Sequence, residues 1–247
     1  MTFDGRNNVV AMKRIGILGG SSDQATTDYY QRLNKAAGAR LGGWNTAELI
    51  ITSMNFAFSE HCVRHGRWTE MGDYLADRAS ALERGGADFY LCVSNTLHRT
   101  ADRFTRDISI PFLHIVDPTA QAIVNQGLRR VALLGTKPVM SMDFMKSRYL
   151  ENFGVEIMTP SSDQQDIVDR IIFDELCRGQ FTSASKKIYL DIIDDLADRG
   201  ADGIILGCTE IPLLVTQADR PALPMFDTAG LHVDAAIDLA IRSDVAT

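Results

Sequence analysis

Three stretches of this chain occur twice, in the same order and at nearly the same separation. Residues 14–20 (RIGILGG) match residues 130–136 (RVALLGT) at an offset of 116. Residues 85–96 (GGADFYLCVSNT) match 199–210 (RGADGIILGCTE) at 114, and 110–117 (IPFLHIVD) match 223–230 (LPMFDTAG) at 113. Each pair plays the same part: a strand closing on a small-residue turn, Gly-Ala-Asp leading into a strand that ends in a polar triplet, and Pro entering a strand. Three matches in register suggest an ancestral α/β unit present twice; the plainer alternative is that any parallel α/β protein reuses Gly-Ala-Asp before its strands. Of the 247 residues, the first eleven read as a lead-in before Met12. The remaining 236 make two lengths of 118, each about one ordinary domain.

Hydrophobic patterning agrees with this division. Short apolar runs at 14–19, 48–54, 88–93, 111–116, 130–134 and 203–206 read as strands. Helical periodicity covers 28–40 and 69–84, the latter through the stripe Leu75, Ala79 and Leu82, stopped by Gly85-Gly86. Strands alternating with helices predict an α/β fold of two pseudo-symmetric three-layer domains with largely parallel sheets. Ligands of such sheets bind at the carboxyl ends of the strands. Here those ends are 19–22, 94–96, 135–136 and 208–210, rich in small residues and hydroxyls. They are expected to converge on one cleft between the halves.

Composition removes several classes. Hydrophobic residues make up 45% and the net charge is 25 − 32 = −7, which excludes a disordered chain. With no Lys/Arg block, nucleic acid is not an expected partner. No apolar run reaches the ~18–20 residues of a membrane span, and the first residues lack a signal-peptide core. The four cysteines, Cys62, Cys92, Cys177 and Cys208, form no C-x-x-C pair and suggest a cytoplasmic protein. His61 and His65 have a metal-compatible spacing but no third ligand in view, so they read as a solvated helix face and no metal is expected. Neither a dinucleotide nor an NTP fingerprint is present.

Aligning the repeats puts Ser94 and Cys208 at the same place, each eight residues after the glycine of Gly-Ala-Asp. One reactive-type side chain would stand on each wall of the cleft. Cys208, at a strand end before Thr-Glu, sits where a chemical thiol belongs. Cys92 and Cys177 read as packing. His98, four residues past Ser94, either orients the site or caps a turn.

LGGSS at 18–22, SNTLH at 94–98, LLGT at 133–136, RIIFDEL with GQFT at 170–182, and GCTEIPLL at 207–214 together resemble the PLP-independent aspartate/glutamate racemase family. The resemblance runs from about Arg14 to the last helix. It implies two α/β domains, 12–117 with 228–247 and 118–227, no cofactor, and often a homodimer. It implies a thiol on each side of the substrate Cα, one removing a proton and the other returning one. Asn95, Thr96, Thr136 and Thr209 would hold the carboxylate, where charge develops in the transition state. Ser21 and Ser22 would contact the amino end, and Glu210 is the acidic neighbour of the second thiol. The same polar residues could instead only cap strand ends.

Two departures stand out. The first family cysteine is Ser94 here, and a hydroxyl is a far weaker base than a thiol of pKa ≈ 8.5. Chemistry is therefore expected to be lopsided, with Cys208 as main acid/base and Ser94 on the opposite face. Second, a lysine that pairs with an acidic side chain in some relatives is replaced by Ile167, leaving Arg170 or Lys137 as possible substitutes. The expected substrate is an amino acid or related carboxylate of undetermined side chain. Alternatives are a single-thiol decarboxylase or isomerase of the arylmalonate or maleate type, and a catalytically feeble small-molecule binder.

Overall fold

Two four-stranded parallel sheets carry the chain, and their strand orders are the same after a shift of four: β2-β1-β3-β4 and β6-β5-β7-β8. The computed structural model describes residues 11–242. Most of the lead-in, with the expectation about its leader character, and the end of the segment 228–247 therefore lie outside the described residues.

The first sheet is built from β1 (Ile15–Gly19), β2 (Leu49–Ser53), β3 (Phe89–Cys92) and β4 (Phe112–Leu113). Its helices are α1 (Asp23–Leu41), α2 (Phe56–Arg64), α3 (Trp68–Arg84) and the short α4 (Ala101–Phe104). The second sheet contains β5 (Arg130–Gly135), β6 (Glu156–Met158), β7 (Ile204–Gly207) and β8 (Met225–Asp227). Around it run α5 (Val116–Asn125), α6 (Lys137–Ser141), α7 (Asp143–Phe153), α8 (Ser162–Asp174), α9 (Ser183–Asp198) and α10 (Ile211–Leu214). The final helix, α11 (Thr228–Ile241), packs on α1.

Burial follows from these layers. β1 and β3 are buried along their length because helices cover both faces of the sheet. On one face Ile15 and Ile17 meet Tyr29 and Leu33 of α1 and Val233, Ala236 and Ile237 of α11. On the other, Leu18, Tyr90 and Cys92 meet Leu75, Ala79 and Leu82, the stripe read from the sequence. Truncating Leu82 there to alanine would cost about 2–5 kcal/mol. The second sheet has two corresponding cores, one under α8 and α9 and one under α5 and α7.

The repeat persists down to single hydrogen bonds. Gly86 and Gly200 both take positive φ, 87° and 92°, where a side chain would be strained. Each ends a helix, and the next two amides repeat the pattern: Ala87 to Leu82 O (3.1 Å) and Asp88 to Arg14 O (2.9 Å), against Ala201 to Leu196 O (3.0 Å) and Asp202 to Arg130 O (2.8 Å).

Boundaries differ from the sequence reading at three places. The helix predicted from residue 28 begins at Asp23, because Ser22 caps it by accepting the Ala25 amide at 2.9 Å. The strand predicted over 111–116 shrinks to Phe112–Leu113, since Val116 already opens α5. The three-residue β6 was not anticipated. Among the described residues no helix is long and apolar enough to cross a membrane.

Candidate active site

The carboxyl ends of β1, β3, β5 and β7 face a single open cleft. Ser21, Ser94, Asn95, Thr96, Thr136, Cys208, Thr209 and Glu210 line it, drawn from both halves. Ser22 stands just behind, its hydroxyl on Glu210. The sequence thus pointed to residues that the fold brings together. Polar contacts stitch the halves across the cleft: Thr96 Oγ1 and Thr136 Oγ1 lie 2.8 Å apart, both buried.

Glu210 organises the Cys208 wall. Its carboxylate is buried, 4% exposed, yet each oxygen has donors. Oε2 receives Thr209 Oγ1 at 2.6 Å and Cys208 Sγ at 3.0 Å. Oε1 receives Ser22 Oγ at 2.9 Å and a longer contact from Cys177 Sγ at 3.9 Å. Burial, and then the Glu210 carboxylate, push the Cys208 thiol well above its ordinary range. At rest Cys208 is therefore a thiol with its proton directed at Glu210.

On the other wall His98 answers the open question about its role. The Ile115 amide donates to Nε2 at 3.2 Å, so Nδ1 carries the ring proton and donates to the Ser94 carbonyl at 2.7 Å. Burial holds the imidazole pKa down to about 3, so the ring stays neutral. Both nitrogens are spent on backbone. His98 fixes the Ser94 turn but does not reach its hydroxyl, which instead accepts the Leu97 amide at 3.4 Å.

Asn95 shows a second kind of constraint. Thr228 Oγ1 donates to the Leu206 carbonyl at 3.0 Å, so it must accept from Asn95 Nδ2 at 3.1 Å. That fixes the amide orientation and leaves Asn95 Oδ1 buried without a partner. A buried orphan acceptor is costly unless something donates to it.

Other residues fall outside or newly inside the site. Cys177, read as packing, does touch the second core, but it also lines the cleft, because a 3-10 turn over Leu176–Arg178 ends the helical run and brings its thiol to Glu210. Helix α2 contributes Phe56, Ser59, Glu60 and Val63, spaced i, i+3, i+4 and i+7 along one face. Its opposite face holds exposed His61 and His65, whose rings stack at 4.3 Å. Among the described residues no three His, Cys, Asp or Glu side chains cluster as metal ligands. Cys62 and Cys92 are buried in the first core, and burial lifts the Cys92 thiol to about 12. Ile167 packs against the second core, Arg170 is exposed, and Lys137 Nζ pairs with Asp166. None of the three lines the cleft.

Comparison with known proteins defines the class first. The fold matches the crystal structure of a candidate Asp/Glu racemase from Yersinia pestis with a TM-score of 0.86 and 38% identity, over 94% of this chain and 100% of that one. An aspartate racemase homologue from Pyrococcus horikoshii OT3 matches with a TM-score of 0.77 and 35% identity, over 92% and 99%. Among curated proteins, the broad specificity amino-acid racemase RacX of Bacillus subtilis (strain 168) is 22% identical over 87% of this chain and 92% of its own length. All three are named as amino-acid racemases or as candidates or homologues of one. The profile of the Asp/Glu/Hydantoin racemase family matches residues 15–236, and the chain belongs to that family.

Proposed function

We propose that this protein is a cofactor-independent racemase or epimerase of amino acids, inverting Cα in the cleft with Cys208 as its main acid/base and Ser94 on the opposite face. The observation that carries this reading is the Cys208–Glu210 contact of 3.0 Å at a strand end, in a cleft also lined by the Ser94 hydroxyl at the equivalent strand end of the other half.

The Cys208 proton moves to Glu210, and the thiolate removes the Cα proton of a bound amino acid. The electron pair delocalises into the substrate carboxylate, held by the amides and hydroxyls of Asn95, Thr96, Thr136 and Thr209. A proton from Ser94, or from a water it holds, is delivered to the other face; the alkoxide or hydroxide left behind takes a proton from solvent, and Glu210 gives up the one it accepted, which restores the starting state. Ser21 borders the amino end, with Ser22 behind it on Glu210. Because His98 does not reach the Ser94 hydroxyl, Ser94 is a weak base and the two directions run at different rates.

Two further parts of the reading rest on the chain's organisation. We divide it into 12–117 with 228–247 and 118–227, supported by the two sheets and the packing of α11 on α1. Four unpaired cysteines support a cytoplasmic location, and family membership a homodimer.

The test is exchange of Cα–H in D₂O, followed by NMR over L- and D-amino acids. Unequal initial rates for the two enantiomers, abolished in Cys208→Ser, are expected. Equal rates would overturn the lopsided pair. Release of CO₂ from a malonate-type substrate without amino-acid exchange would overturn the racemase reading in favour of a decarboxylase.

A further inference from the structure

We infer that the substrate is an amino acid with an apolar side chain, not an acidic one; this rests on the racemase reading of the cleft. The chamber beyond the strand ends is walled by Phe56 and Val63 of α2, Ile172 and Phe173 of α8, and Leu97. The charged residues lining it are Glu60 and Glu210, and no lysine or arginine is among its lining residues. A substrate carboxylate directed into this chamber would leave water, gain no cation and face two groups of its own sign. An aliphatic or aromatic side chain would instead meet carbon on most sides.

Three cations that could be considered for the task are engaged or placed elsewhere. Arg64 lies over the Phe173 ring at 4.2 Å and pairs with Asp169 at 3.2 Å and Glu60 at 3.4 Å. It therefore occupies the one rim carboxylate that could have recognised a basic side chain. Lys137 pairs with Asp166 outside the cleft, and Arg170 is exposed away from its lining.

The experiment measures kcat/KM for racemisation by the wild-type enzyme over aspartate, glutamate, lysine, leucine, methionine and the straight-chain series from alanine to norvaline. Leucine, methionine and norvaline are expected to exceed aspartate and glutamate by at least about tenfold. Each methylene from alanine to norvaline is expected to add about fourfold. Val63→Lys, which sets a cation on the chamber wall, is expected to raise the aspartate-to-leucine ratio about tenfold or more. Aspartate or glutamate as the better substrate would overturn the inference while leaving the racemase reading standing, with Arg64 swinging inward as the recognising group. Preference for lysine would overturn it too and point to Glu60. An unchanged ratio in Val63→Lys would show that wall charge does not set the preference. Absence of turnover on every amino acid would overturn the racemase reading itself.

Discussion

Ser22 Oγ donates to Glu210 Oε1 at 2.9 Å although 188 residues separate them. The same oxygen accepts the Ala25 amide, so one hydroxyl both caps α1 and braces the carboxylate behind Cys208. Helix start in one half and the Cys208 thiol in the other are thereby joined through two hydrogen bonds.

Ser22→Ala removes both contacts at once. Loss of the cap costs about 1 kcal/mol, and the buried Glu210 oxygen left short of a donor about 1–3 kcal/mol more. Urea unfolding reads the sum. Ser22→Thr keeps both bonds and should recover most of the loss; equal destabilisation by the two variants would mean that the hydroxyl contacts contribute nothing.

Glu210→Gln removes a negative charge 3.0 Å from the Cys208 sulfur. That charge raises the thiol pKa, so its loss lowers it. At pH 7–8 alkylation of Cys208 by iodoacetamide should quicken several-fold in the variant, while kcat/KM falls about 10²-fold or more because the proton acceptor is gone. Slower alkylation would contradict the assigned electrostatics.

Ser94→Cys supplies the thiol that the repeat leads one to expect opposite Cys208. The slow direction of exchange should accelerate by at least tenfold and the fast direction should change little. No change in either direction would rule out the facing pair.

Acid should destabilise the fold through buried histidines. Burial depresses His98 to about 3 and His232 to about 4, whereas an unfolded histidine titrates near 6.5. Below that value the unfolded chain takes up protons that the folded chain refuses. The stability contributed by these neutral rings is thus complete above pH 6.5 and drains as pH falls toward 4. The slope is about 1.4 kcal/mol per pH unit for each ring at most. Unfolding midpoints at pH 7, 6 and 5 should converge between wild type and His232→Asn as pH falls; parallel curves would exclude the linkage.

The duplicated frame was legible because a repeat is a covalent fact, readable wherever strand, turn and proline recur in step. So were Ser94 and Cys208, since strand ends are set by that frame. Cys177 was not. Its sequence continues the apolar period of α8, and only the 3-10 turn after Glu175 rotates the thiol toward Glu210. The α2 wall escaped for a related reason: His61 and His65 drew attention to the wet face, while Phe56, Ser59, Glu60 and Val63 acquire meaning only once the helix lies across the cleft. The state of the Cys208 proton was also beyond the sequence, because it depends on where Glu210 turns its carboxylate.

The chain passes between the sheets twice, from β4 into α5 and from β8 into α11. His232 Nε2 of α11 donates to the Leu113 carbonyl of β4 at 3.0 Å, which ties one passage to the other. The two crossings are thereby laced to each other by a side chain, so neither can shift without straining the His232–Leu113 bond.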